Sequence, residues 1–464
     1  VLETGTIVFS CLGIVLFLLG QQAILTGLII SSIFQATAFI NIGSSPIIVY
    51  YFFGVLFVLR GVVDLFWLPL GWRVPKQNNP LLYLLGFVLI AVLGAFILPQ
   101  IFYGTLVYSP KISIDDQFNN MTRLALESQH FNQSIQLLVN ALIFVIIWLR
   151  TISPLAFIRA IVFSLVFALG IALWQVISNA TNTYFPKELL YTVEGWSVGN
   201  EQLIGSFSRV NSTFLEPSVF ATYLTGVFAF LLIWWVKRPN WILLGGVLLT
   251  LFAMLITTST TAYLGLVGVL ACILLGVGLL QLINRGWTSK SLLVLLFTTV
   301  AVIWIGLMVF VGSPELRDLV NVVLLEKSDG DSFKVRLESD LQGFEILWNT
   351  YGLGVGLGSN RPSSFLTFLL SNVGILGFLL FVMFLVTLTR LALNNISRLN
   401  QDNMTNWAVA GAWGLWATIA AKISAQPDLS FSPMWVWIFF LACLCHADTR
   451  LTHQKMVSNT SQDH

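Results

Sequence analysis

Charge is what this sequence has least of. Only 9% of its 464 residues are Asp, Glu, Lys or Arg, while 57% are hydrophobic and the mean hydropathy is +0.86. A soluble domain carries roughly 25% charged residues, so that class is excluded and a polytopic membrane protein is implied. A formal net charge of +2 supplies no basic footprint for nucleic acid, and no nucleic-acid partner is expected. Cysteine and histidine are equally sparse, four of each. Cys11, Cys272, Cys443 and Cys445 lie in or beside apolar runs, where a disulfide framework has nothing to staple. Cys443-Leu444-Cys445-His446 falls short of a four-ligand zinc site. No phosphate-binding loop, serine-hydrolase elbow or phosphate-metal cluster is present. No metal and no cofactor is therefore expected.

What the chain has instead is a series of apolar runs, each near the roughly 20 residues that a helix needs to cross a bilayer. They fall at 5–21, 24–40, 46–66, 80–99, 133–150, 154–177, 217–236, 240–257, 261–283, 291–311, 364–390, 407–424 and 433–447. The first two are separated only by Gly20-Gln21-Gln22 and read as one broken span or a shallow hairpin. The expected fold is an all-α, single membrane domain over 1–464 with 12 to 13 transmembrane helices. Lys and Arg concentrate in one set of short connections (Arg73, Lys76, Arg150, Lys237, Arg238, Arg390). That bias puts these inside and the longer loops 100–132, 178–216 and 312–363 outside. Arg60 and Asp64, four apart near an inner helix end, read as a local ion pair. Mid-span carboxylates and histidines, the usual mark of an ion-coupled carrier, are scarce.

Polar chain is concentrated in the loop 312–363. Within it Phe333, Leu337, Leu341, Phe344 and Trp348 recur at helical spacing behind Ser332, a candidate N-cap. This describes an amphipathic helix with one apolar side; Arg336 and Asp340, four apart, share another. Arg336 is the candidate catalytic residue. The loop closes with Gly352, Gly354, Gly356 and Gly358, then Ser359, Asn360 and Arg361. Two uses of the glycines remain open: they permit a tight reversal into the next span, or their bare amides approach a diphosphate beside Arg361 and a helix N-terminus. Asp329 and Asp331 read as an acidic turn rather than a cation site.

The loop 178–216 ends in Arg209 and then Glu216-Pro217. Pro217 suits the first turn of a helix and requires extended chain before it. Arg209 and Glu216 therefore approach the mouth of a helix bundle. For Arg209 an ion-binding role and a helix-anchoring, snorkelling role stand side by side; for Glu216, proton acceptance and capping do.

RVNSTFLEPSVFATYL (Arg209 to Leu224), and the stretch from Arg336 through GLGVGLGSNRPSS to NVGILG (ending at Gly377), together resemble the bacterial O-antigen ligase and polymerase family of membrane glycosyltransferases. Thr258-Ser259-Thr260-Thr261-Ala262-Tyr263 is similar to a short outer hairpin of that family. The resemblance covers about residues 150 to 447. It implies a C-type glycosyltransferase-like architecture with extracytoplasmic amphipathic helices. It also implies a metal-independent, inverting enzyme in the bacterial cytoplasmic membrane, taking a polyprenyl-diphosphate-linked glycan at the extracytoplasmic face. Membrane lipid is then a further partner, as are a flippase and a chain-length regulator of the same pathway. Arg209, Arg336 and Glu216 become the catalytic candidates, with Arg361, Asn360, Gly354, Gly356, Gly358 and Ser359 binding substrate. Where the ligase branch carries a histidine after the glycines, this chain has Asn360-Arg361, which favours a polymerase over a ligase that hands the chain to lipid A or protein. The alternative from another class is a transporter or flippase whose outer loops gate a cavity.

Overall fold

A computed structural model describes residues 4–42, 45–67, 79–108, 121–150, 152–194, 203–204, 207–282, 331–397 and 402–445. The described chain is mostly helical. Among the described residues, five helices are long and apolar enough to cross a membrane: Pro80–Ile101 (α4), Ser128–Leu149 (α5), Pro154–Thr181 (α6), Pro217–Lys237 (α8) and the first thirty residues of Phe365–Ser397 (α12). Shorter apolar helices pack with them: Thr4–Leu19 (α1), Gln21–Ser31 (α2), Trp241–Ile256 (α9), Thr260–Leu282 (α10) and Ser432–Cys445 (α14). Val49–Trp67 (α3), a four-residue turn Lys187–Leu190 (α7), Asp331–Asn349 (α11) and Asp402–Ala425 (α13) complete the helices. The expected run 291–311 lies outside the described residues, as do Asp329, Arg73, Lys76 and His446.

The sequence signals explain several boundaries. Proline opens α4, α6 and α8, where its missing N–H costs nothing. Asn79 caps α4 by accepting from the Leu81 amide at 3.0 Å. The second apolar run departs from expectation. Its helix stops at Ser31, and Ala38–Ile42 (β1) then pairs with Ser45–Ile48 (β2) as an antiparallel hairpin. α1 and α2 fold back on each other, with Gly27 against Leu16. Two further two-stranded hairpins, Leu106–Val107 (β3) with Thr122–Arg123 (β4) and Leu203–Ile204 (β5) with Phe207–Ser208 (β6), qualify the all-α expectation. The Arg60–Asp64 pair forms at 3.0 Å, and Arg150 joins it at 3.7 Å.

The best-buried helices are α8 and α14, whose aromatic side chains Phe220, Phe228, Phe230, Trp435 and Phe439 lie almost wholly inside the bundle. The loops gather at one end of it. Ala36 donates its amide to Thr213 O at 3.0 Å, Gln35 reaches Ser432, Tyr51 Oη donates to Ser430 O at 3.2 Å, and the Arg361 amide donates to Tyr108 O at 3.0 Å. Segments far apart in sequence thereby form one polar cap on an apolar bundle. A second small core, Val107, Leu124, Ile346 and Val355 with Phe102, ties α11 to the β3–β4 hairpin.

Candidate functional site

The polar cap is built on the loop between α11 and α12. Gly352, Gly354, Gly356 and Gly358 all adopt positive φ, from 78° to 100°, which places alternate residues in backbone conformations open to glycine. A Cβ at Gly354 would lie 2.8 Å from Ser371 O, at Gly356 2.7 Å from Gly94 O, and at Gly358 2.9 Å from Gln129 O. The series therefore threads between α12, α4 and the start of α5. Its amides have protein acceptors: Gly354 N donates to Thr350 Oγ1, Val355 N to Ser371 O and Gly356 N to Asn372 O. Of the two uses open from sequence, the geometry shows close passage of backbones, with the Gly352, Gly354 and Gly356 amides donating to protein acceptors.

Asn372 is the hub of that passage. Its Oδ1 accepts from the amides of Ser359 (3.2 Å) and Asn360 (3.0 Å), and its Nδ2 donates to Asn360 O (2.7 Å). Two residues on, Gly374 leaves helical geometry at φ 69°, so that Gly352 O can accept from Ile375 N at 2.9 Å. The NVGILG stretch thus works as a stitch. Asn360 is itself fully buried, accepting from Tyr108 N and donating to Ser371 Oγ. Ser359 donates to Val355 O and meets His130 Nε2 at 2.9 Å. Of the residues expected to bind substrate, Gly354, Gly356, Ser359 and Asn360 make hydrogen bonds within the fold, and Gly358 packs against Gln129 and His130. A histidine does reach the loop, from α5, but His130 is buried.

α11 starts at Asp331, so Ser332 is inside the helix rather than its cap. Asp340 Oδ1 accepts from the amides of Ser363 (3.1 Å) and Ser364 (2.9 Å) and from Thr367 Oγ1 (2.8 Å). It therefore caps α12 from outside and neutralises the helix end that had been a candidate anion site. Arg336, one turn earlier, has a different setting. Its Nε is buried and has no hydrogen-bond partner among the described residues.

Arg209 lies within electrostatic reach of Arg336. Burial, foremost, holds its pKa below the ordinary arginine value; Glu216 pushes it back up, Arg336 lowers it again and Tyr263 raises it. Guanidinium remains charged throughout. Tyr263, in the first turn of α10, thus lies within electrostatic reach of Arg209. Glu216 precedes Pro217 with extended backbone, and its carboxylate accepts from Ser218 Oγ at 3.1 Å. Its charge acts on both Arg209 and Arg361, raising the pKa of each.

Arg361 has a partner that the sequence reading missed. It donates from Nε to Asp428 Oδ1 (3.3 Å) and from Nη2 to Oδ2 (3.0 Å), with 23% and 19% of the two side chains exposed. Asp428, above all, and Glu216 hold its pKa above the ordinary value against burial. Lys422, fully buried near the end of α13, donates to Asp428 O at 2.7 Å beneath the rings of Phe365 (4.5 Å) and Phe431 (4.9 Å). The available signal was a single lysine in an apolar run, six residues before an aspartate.

The result is a cap with three arginines, Glu216 acting electrostatically on Arg209 and Arg361, and Asp428 bonded to Arg361. Such an arrangement can hold a compact polyanion by charge-assisted, forked hydrogen bonds. Among the described residues no three His, Cys, Asp or Glu side chains cluster as metal ligands, and the four cysteines are free. Compared with known proteins, the chain matches no family model and no curated protein.

Proposed function

We propose that this chain is a membrane glycosyltransferase that polymerises polyprenyl-diphosphate-linked repeat units at the extracytoplasmic face of the bacterial cytoplasmic membrane. The observation that carries this reading is that Arg209 and Arg336, from different loops, act on one another electrostatically at the polar cap, where the Arg336 Nε is buried without a hydrogen-bond partner among the described residues. Guanidiniums within electrostatic reach repel one another, and a diphosphate held by both relieves the repulsion and the lost hydration.

In the reaction, a hydroxyl oxygen of one lipid-linked repeat attacks the anomeric carbon of a lipid-linked chain. The bond from that carbon to the diphosphate oxygen breaks, and its electron pair leaves with polyprenyl diphosphate. Direct displacement inverts the centre. Arg209 and Arg336 stabilise the charge that grows on the leaving oxygens, which is where fixed donors lower a barrier most. The hydroxyl proton passes to Glu216, which Arg209 and Arg361 orient. Arg361 offers substrate its Nη1 edge, the opposite edge being held by Asp428.

Removing the chromosomal copy tests the polymerase reading. Single repeat units on the final acceptor are expected; long chains stranded on the polyprenyl carrier would assign the ligase reaction instead.

A further inference from the structure

α11 meets the rest of the protein through small residues. Ser339, Gly343 and Thr350 are buried with Ile346, and a Cβ at Gly343 would stand only 3.3 Å from Thr367. Its large apolar residues point elsewhere. Leu337, Leu341, Phe344 and Trp348, at i, i+4, i+7 and i+11, form one straight stripe, and it is exposed: 58% for Leu341 and 85% for Trp348. Tyr351, just beyond the helix, is 90% exposed. No described residue covers the stripe.

Three observations identify what does. First, the exposed Leu353 follows the stripe, and Gly352 lies against Ile375, so the stripe runs on to the exposed Ile375, Leu376 and Leu379 of α12. That helix is among those able to cross a membrane, so the stripe is an extension of a lipid-facing surface. Second, Lys334, Glu338, Glu345 and Asn349 are exposed about a quarter turn away, giving the helix a wet flank beside a dry one. Third, Trp348 and Tyr351 stand at the end of the stripe, and these residue types gather where acyl chains meet headgroups.

We propose that α11 is an interface helix, its Leu337-to-Trp348 stripe seated in the headgroup boundary of the leaflet nearest the polar cap. The partner is the phospholipid leaflet itself. Arg336 lies roughly 100° around the helix from Leu337, so the depth of the stripe fixes the depth of its guanidinium. The placement holds whatever reaction the cap performs, and its test does not read turnover.

The test uses the full chain in phosphatidylethanolamine/phosphatidylglycerol vesicles, with the four native cysteines replaced by alanine. Leu341→Cys, Trp348→Cys and Lys334→Cys are each labelled with bimane. Lipid carrying a doxyl group at carbon 5 is expected to quench positions 341 and 348 at least threefold more than it quenches 334, with aqueous iodide showing the reverse order. Iodide quenching at 341 and 348 equal to that at 334 would overturn the proposal. So would shielding from both quenchers, which would mean a second copy or residues 283–330 cover the stripe. Should the cysteine-free background fail to fold, wild-type protein and Trp348→Phe are compared with brominated lipid. Loss of a lipid-quenched fluorescence component in the variant supports the proposal, and unchanged quenching refutes it.

Discussion

Replacing Asp428 with Asn changes one oxygen to a nitrogen and should nevertheless loosen the cap. In the wild type a single carboxylate faces Arg361 through two bonds, 3.3 and 3.0 Å long, while Lys422 sits on the same residue's carbonyl at 2.7 Å. Neutralising it removes the anion bonded to Arg361 and leaves only the more remote Glu216 to act on that guanidinium. Removing one partner of a fully buried pair costs about 3 to 5 kcal/mol. About a fifth of each side chain here reaches solvent, and screening reduces the expectation to about 2 to 3 kcal/mol. The backbone bond from Lys422 survives in every variant, so the loss reports the ion pair alone. Unfolding in mixed micelles against SDS fraction measures it. The double variant Arg361→Met/Asp428→Leu should recover most of the loss, since matched apolar residues replace a buried pair at little cost. An Asp428→Asn protein as stable as wild type, or a double variant showing simple additivity, would refute the reasoning.

Arg336→Ala should reduce turnover by a factor of about 100 or more, the scale of one oxyanion donor, without lowering stability, and Lys should restore little because it lacks the fork; initial rates and SDS unfolding check both. Asp340→Ala, one turn along the same helix, should do the opposite, costing about 2 kcal/mol as a lost cap while the folded fraction keeps its rate. Gly356→Ala should cost about 2 to 4 kcal/mol, because the methyl group meets Gly94 O at 2.7 Å in a left-handed backbone; near-normal stability would contradict the threading of the loop. Chain growth should continue in EDTA, with two guanidiniums serving the diphosphate, and loss of activity that magnesium or manganese restores would require another mechanism.

Much of this was legible in the apolar runs. Runs 80–99, 154–177 and 217–236 became Pro80–Ile101, Pro154–Thr181 and Pro217–Lys237, because proline and polarity mark where such helices begin. Run 24–40 overran its helix, since an Ile- and Phe-rich stretch reads the same as strand or helix and β1 depends on a partner, β2, that composition does not reveal. Arg209 and Glu216 stood out because a helix start after Glu-Pro fixes where they lie. The glycine loop was half legible: alternation announced positive φ, but whether amides meet a ligand or a neighbouring carbonyl depends on the backbones of α4, α5 and α12. Asp428 and Lys422 were invisible for a similar reason. What makes Lys422 a structural cation is a pair of rings, from Phe365 and Phe431, and a carbonyl six residues away, a coincidence of three segments that spacing does not encode.

The most direct test of the central claim is chain growth by the purified protein in detergent, supplied only with polyprenyl-diphosphate-linked oligosaccharide. With no second compartment, transport alone yields nothing. The account predicts a ladder of longer glycans on the carrier with stoichiometric release of polyprenyl diphosphate, abolished in Arg209→Ala and Arg336→Ala. Unchanged substrate in the presence of folded wild-type protein, or equal ladders from the two arginine variants, would contradict it.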